Sequence, residues 1–112
     1  MIINIKKLKQ NFDIDMIDNL LDLALETIED NIQLIDKGLD EKNIENMHRG
    51  VHTLKSLGFL GMNNILNLSS KLAYMTANKK YDEINIKSFN KNYIRLKHEC
   101  ELFKEWLKKY KN

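Results

Sequence analysis

A chain of 112 residues, 43% hydrophobic and 30% charged, is long enough to bury one core but not two, and with no proline and only four glycines it lacks the punctuation of strand-rich folds. A formal net charge of +2 excludes wholesale nucleic-acid binding, which draws on a densely basic surface. No run approaches the roughly 20 apolar residues of a membrane span, no signal peptide is recognisable, and the single Cys100 cannot close an internal disulfide, so a cytoplasmic protein in a reducing compartment is expected.

Residues 1–12 carry Ile2, Ile3, Ile5, Leu8 and Phe12, enough for a short leading helix that covers one end of a larger body. Asp13 or Asp15 then offers an N-cap. From there to Lys37, Ile17, Leu21, Ala24, Ile28, Asn31 and Ile35 recur every three or four residues, with Leu20, Leu25 and Ile32 widening the stripe. Asp15, Asp18 and Asp22 favour the positive end of the helix dipole, and Gly38 is the expected stop. Asp40 is the expected cap of the next helix, whose inner face reads Ile44, Met47, Val51, Leu54 and Gly58. It should run to about Phe59 or Leu60 and end at Gly61. Asn63 can cap a fourth helix with Ile65, Leu68, Leu72 and Met75 inside. The last helix, expected from about Asp82, has the most regular pattern: Ile86, Phe89, Tyr93, Leu96, Cys100, Phe103, Leu107 and Tyr110 alternate by three and four. That seam could serve a coiled coil, but three other amphipathic helices and short connections favour an all-α, antiparallel up-down four-helix bundle with a short extra N-terminal helix, one domain over residues 1–112.

Charge is distributed unevenly along this pattern. Between Glu45 and Asp82 there is no carboxylate, although sixteen occur in the chain, and the acid-free stretch contains Val51-His-Thr-Leu-Lys-Ser-Leu-Gly-Phe-Leu-Gly61. At 3.6 residues per turn His52 lies about 100° round from Val51, on the shoulder of the buried stripe. His48, Arg49, Lys55 and Ser56 are its neighbours three and four residues away. A surface of imidazole, guanidinium, ammonium and hydroxyl suits an anionic partner or a group that becomes anionic. A neutral imidazole is a nucleophile that needs no general base. If it accepts a phosphoryl group, Lys55 can partly neutralise the new charge and Ser56 can donate a hydrogen bond to it.

His52-Thr-Leu-Lys55, followed by small residues and Gly61, resembles the signature of histidine-containing phosphotransfer (HPt) domains, and the likeness in helix order extends over nearly the whole chain. It implies a four-helix bundle that carries phosphoryl groups between aspartates of response-regulator receiver domains in a phosphorelay fed by a hybrid sensor histidine kinase. By that resemblance His52 is the phosphoacceptor, Lys55 steadies the phosphohistidine, and Gly61 is the turn out of the histidine helix. The family pattern has glycine directly after the lysine, where this chain has Ser56. Gly61 also stands one residue nearer the histidine than usual, which bears on how the helix ends between Leu57 and Gly61.

The expectation is a monomeric carrier rather than an enzyme. It holds no cofactor of its own, the Mg²⁺ coming from the receiver, and it has no nucleic-acid or membrane partner. Docking would use the exposed flank of the third helix, with His48 and Arg49 for charge and Leu57 or Phe59 for an apolar contact, and the adjacent face of the fourth. The alternative is a helical adaptor that binds a receiver or kinase through the same flank without phosphoryl transfer. His48 and His52 have the spacing of two metal ligands on one helix face, but two ligands are not a site and no metal is expected. A kinase dimerisation domain would have an acid after its histidine and a proline beyond. Here Thr53 follows and proline is absent. His98, Cys100, Trp106 and Tyr110 read as solvated or packing residues. The start at Met1 and the structured C-terminus favour a free-standing protein.

Overall fold

The computed structural model describes residues 3–112, so Ile2 of the expected leading helix lies outside the described residues. Helix α1 spans Ile5–Asn11, α2 Ile14–Glu41, α3 Ile44–Leu54, α4 Asn63–Thr76 and α5 Ile86–Lys111. A 3₁₀ segment, Lys55–Leu60, continues α3, and a short 3₁₀ turn, Tyr81–Glu83, leads into α5. From α2 onward each helix packs on the next, α5 returns to α2, and α1 lies against α2. The result is the expected all-α up-down bundle with one short helix at its N-terminal end.

The antiparallel pairing of the two long helices is recorded in their side chains. At one end Tyr110 donates to Asp18 Oδ1 at 2.9 Å and Lys111 pairs with Asp22; towards the other, Tyr93 donates to Asp36 Oδ1 at 2.6 Å and lies 3.2 Å from the Ile32 carbonyl. Helix α5 buries the whole middle of its three-four series, Phe89, Tyr93, Leu96, Cys100, Phe103 and Leu107, against the bundle. The seam is satisfied within the chain.

Helix ends follow side-chain caps that periodicity alone does not locate. Asp13 caps α2, accepting from Met16 N–H at 2.8 Å, as expected. Gly38 does not stop α2, which continues to Glu41 and ends on Lys42 in the left-handed conformation (φ 54°). Gly38 is instead a point of close approach: a Cβ there would fall 2.7 Å from Met47 Cγ and 2.9 Å from the Asn43 carbonyl oxygen. Asn43, not Asp40, caps α3 by accepting from Asn46 N–H at 3.1 Å. Asn63 is the first residue of α4, which has no side-chain cap, and α5 begins at Ile86, later than the expected start near Asp82, with Asn85 as its cap accepting from Ser88 N–H at 3.0 Å. Among the described residues no helix is long and apolar enough to cross a membrane.

Candidate functional site

The position of His52 follows from how α3 is seated. Gly50 faces α2 so closely that a Cβ would meet Ile35 Cγ1 at 2.5 Å and the Asn31 carbonyl oxygen at 3.0 Å. Met47, Val51 and Leu54 are fully buried. Two residues beyond Gly50, about 200° round the helix, His52 is turned away from α2 and is exposed. Arg49 is exposed beside it and Lys55 half-buried one turn on. Among the described residues neither cation is engaged in an ion pair.

Beyond Leu54 the helix tightens. Lys55 N–H reaches the His52 and Thr53 carbonyls, the 3₁₀ segment runs to Leu60, and Gly61 ends it at φ 85° with its N–H on the Gly58 carbonyl at 3.0 Å. Three residues per turn replaces 3.6, so Leu54, Leu57 and Leu60 align on the inside while Ser56 and Phe59 align on the outside. Leu57 is 2% exposed and Phe59 59%. The expected apolar contact is therefore corrected: Leu57 belongs to the core, and Phe59 alone of the two is available. A recess beside it is lined by Leu20, Leu23, Thr27, Ser56 and Phe59, and Leu23 is itself 56% exposed. Sequence reasoning passes over Leu23; its signal is a leucine off the buried stripe, between Asp22 and the Ala24 position that does face the core.

Ser56 gives its hydroxyl hydrogen to the Thr53 carbonyl at 2.7 Å, and Thr53 likewise bonds back to the Arg49 carbonyl at 2.8 Å. Donation by Ser56 to a phosphoryl oxygen requires it to leave that carbonyl first. On the other side of His52, the His48 ring centre lies 5.6 Å from that of His52. His48 Nδ1 is 2.8 Å from the hydroxyl of Thr76 at the end of α4. A groove of about 580 Å³ opens there, lined by Lys42, Glu45, His48, Arg49, Lys79 and Lys80 among others. This groove thus has four cations and one carboxylate around His48, with the His52 ring beside it.

Among the described residues no three His, Cys, Asp or Glu side chains are grouped to hold a metal ion. Cys100 is buried, and burial pushes its thiol up to about 12, which leaves it protonated and unreactive near neutrality. Trp106 stacks on Tyr110 with centroids 5.2 Å apart, towards the end of α5. His98 is exposed in a separate groove between α4 and α5 with Lys71, Ile94 and Arg95. Comparisons with protein-family models, curated proteins and solved structures find no match to this chain.

Proposed function

We propose that this protein is a histidine phosphotransfer carrier, with His52 accepting a phosphoryl group from the phospho-aspartate of a receiver domain and passing it to another. The observation that carries the reading is an exposed imidazole on the face of a helix bundle, followed one turn later by a lysine without an ion pair among the described residues, in a stretch without carboxylates. In the reaction, a lone pair on a ring nitrogen of His52 forms the P–N bond while the P–O bond to the aspartyl carboxyl breaks, its electron pair remaining on the carboxylate. Phosphoryl transfer depends on positioning and charge neutralisation more than on covalent assistance. Arg49 and Lys55 supply positive charge on this side, and a receiver brings the divalent ion. The excess of cations over the single carboxylate of Glu45 on this side avoids repelling a receiver's acidic pocket, an effect on association rate and specificity. Phe59 and Leu23 supply the apolar part of the docking surface.

The test incubates the protein with a phosphorylated receiver domain and Mg²⁺ and looks for acid-labile, base-stable phosphate. Label on the wild type, and none on a His52→Gln variant of unchanged helicity, is the expected result. Label that persists in His52→Gln rejects the assignment. Binding of the receiver that is equally strong in both proteins, with no label in either, identifies an adaptor instead.

A further inference from the structure

Thr76 is 2% exposed, and its hydroxyl oxygen lies 3.0 Å from the Leu72 carbonyl, 3.2 Å from the Ala73 carbonyl and 2.8 Å from His48 Nδ1. A hydroxyl has one hydrogen and two lone pairs. The two carbonyls can only accept, and the hydroxyl of a helical threonine ordinarily bonds back to one of them; with its hydrogen there, the oxygen accepts from His48. That places a hydrogen on Nδ1 and makes Nε2 the nitrogen with a free lone pair in neutral His48. His48 is half-buried and its tautomer is held from the interior, whereas His52 has no such anchor among the described residues.

We infer that His48 is a proton-coupled partner of His52: with Nδ1 tied to Thr76, its Nε2 takes up a proton when His52 carries a phosphoryl group and donates that proton as a hydrogen bond to a phosphoryl oxygen. The inference rests on the proposed phosphotransfer reading and adds a residue to it. A phosphoryl group projects from its imidazole, and with the ring centres 5.6 Å apart its oxygens come within reach of the second ring. It also brings about two negative charges. His48 contacts Thr76 from α4 and the His52 ring, and it shares its groove with Lys42 from the α2–α3 junction, Glu45 and Arg49 from α3, and Lys79, Lys80 and Tyr81 from the turn after α4. Glu45 is the one carboxylate among them, so the phosphoryl group would change the charge balance at His48 more than any resident side chain does. The proton comes from water, and no electron pair moves other than those of P–N formation and P–O cleavage. Thr76 is a positioning residue, acting only through the imidazole it orients. Ser56, whose hydrogen is spent on the Thr53 carbonyl, leaves the donor role open for His48.

The experiment uses the full chain, labelled with ¹⁵N at histidine, before and after treatment with phosphoramidate, a small donor that surrenders its phosphoryl group as its own P–N bond breaks and ammonia leaves. Before treatment the ring shifts of His48 should report hydrogen on Nδ1, and in Thr76→Val they should move to a mixture of tautomers with the fold retained. Phosphorylation of His52 should raise the proton affinity of His48 about tenfold, the size expected of partly screened charges a few ångströms apart, and His48→Asn should shorten the lifetime of the label several-fold. Failure of His52 to take the label overturns the phosphotransfer reading and the inference with it. Label on His52 with no change in His48 titration, or a His48 ring with hydrogen on Nε2 in the unmodified protein, overturns the inference alone.

Discussion

Phe59 and Lys55 separate what the surface does from what holds it up. Phe59 stands 59% exposed on the outer side of the 3₁₀ segment, so its ring contributes little to the core, and a charge placed there meets water. Phe59→Asp should weaken receiver binding about tenfold, as loss of an aromatic anchor does, with stability changed by no more than about 0.5 kcal/mol. Titration by calorimetry and a thermal melt check the two halves. Lys55→Ala should shorten phosphohistidine lifetime more than it lowers the melting temperature, read by label decay beside the same melt. At this scale the exposure of His52 is legible in the sequence alone, because its angle from Val51 puts it off the buried stripe. Leu57 is misplaced by assuming 3.6 residues per turn beyond Leu54. Thr76 gives no sequence signal at all: its part depends on α3 and α4 meeting, which no local pattern encodes.

Between residue and bundle, the ends of the helices carry the information that periodicity omits. Two left-handed positions make opposite predictions. Gly61, at φ 85° with open space where a Cβ would stand, is required only by its backbone, so Gly61→Ala should cost about 1 kcal/mol from conformation alone. Lys42 holds φ 54° with a side chain attached, and Lys42→Gly should recover about 0.5–1 kcal/mol. Urea melts of the two variants should therefore shift in opposite directions at similar slope. Gly61 is readable in sequence as a helix end, since nothing else competes for that glycine. Gly38 is misread as one, because a glycine that ends a helix and a glycine that lets another helix approach look alike until Met47 and Asn43 are seen packed against it. The same ambiguity moves the caps: Asp40 and Asn63 are each plausible, and Asn43 and Met62 occupy those positions.

For the whole molecule, the long pair α2 and α5 supplies the frame on which the short helices α3 and α4 present the candidate site, and that frame has an alkaline weakness. Tyr93 and Cys100, two turns apart on the buried face of α5, both hold their protons more tightly when folded. Burial is the leading cause for each, with the carboxylate of Asp36 adding to it at Tyr93. Raised folded values of neutral acids mean that the stabilisation is complete below the unfolded values, about 8.5 for a thiol and 10 for a phenol, and is lost as pH climbs above them toward the folded ones. Stability should thus be level through neutrality and fall from about pH 9 upward. Cys100→Ala should remove the earlier part of that fall, at a cost near neutrality from the small cavity it leaves. Tyr93→Phe should flatten the later part, with about 1 kcal/mol lost near neutral pH for the bond to Asp36. Denaturant midpoints measured from about pH 7 to 11 in the three proteins, a range that brackets both unfolded values, decide the matter: parallel curves would mean that the alkaline limb originates elsewhere, and separation in the order thiol then phenol would locate it in the α5 seam.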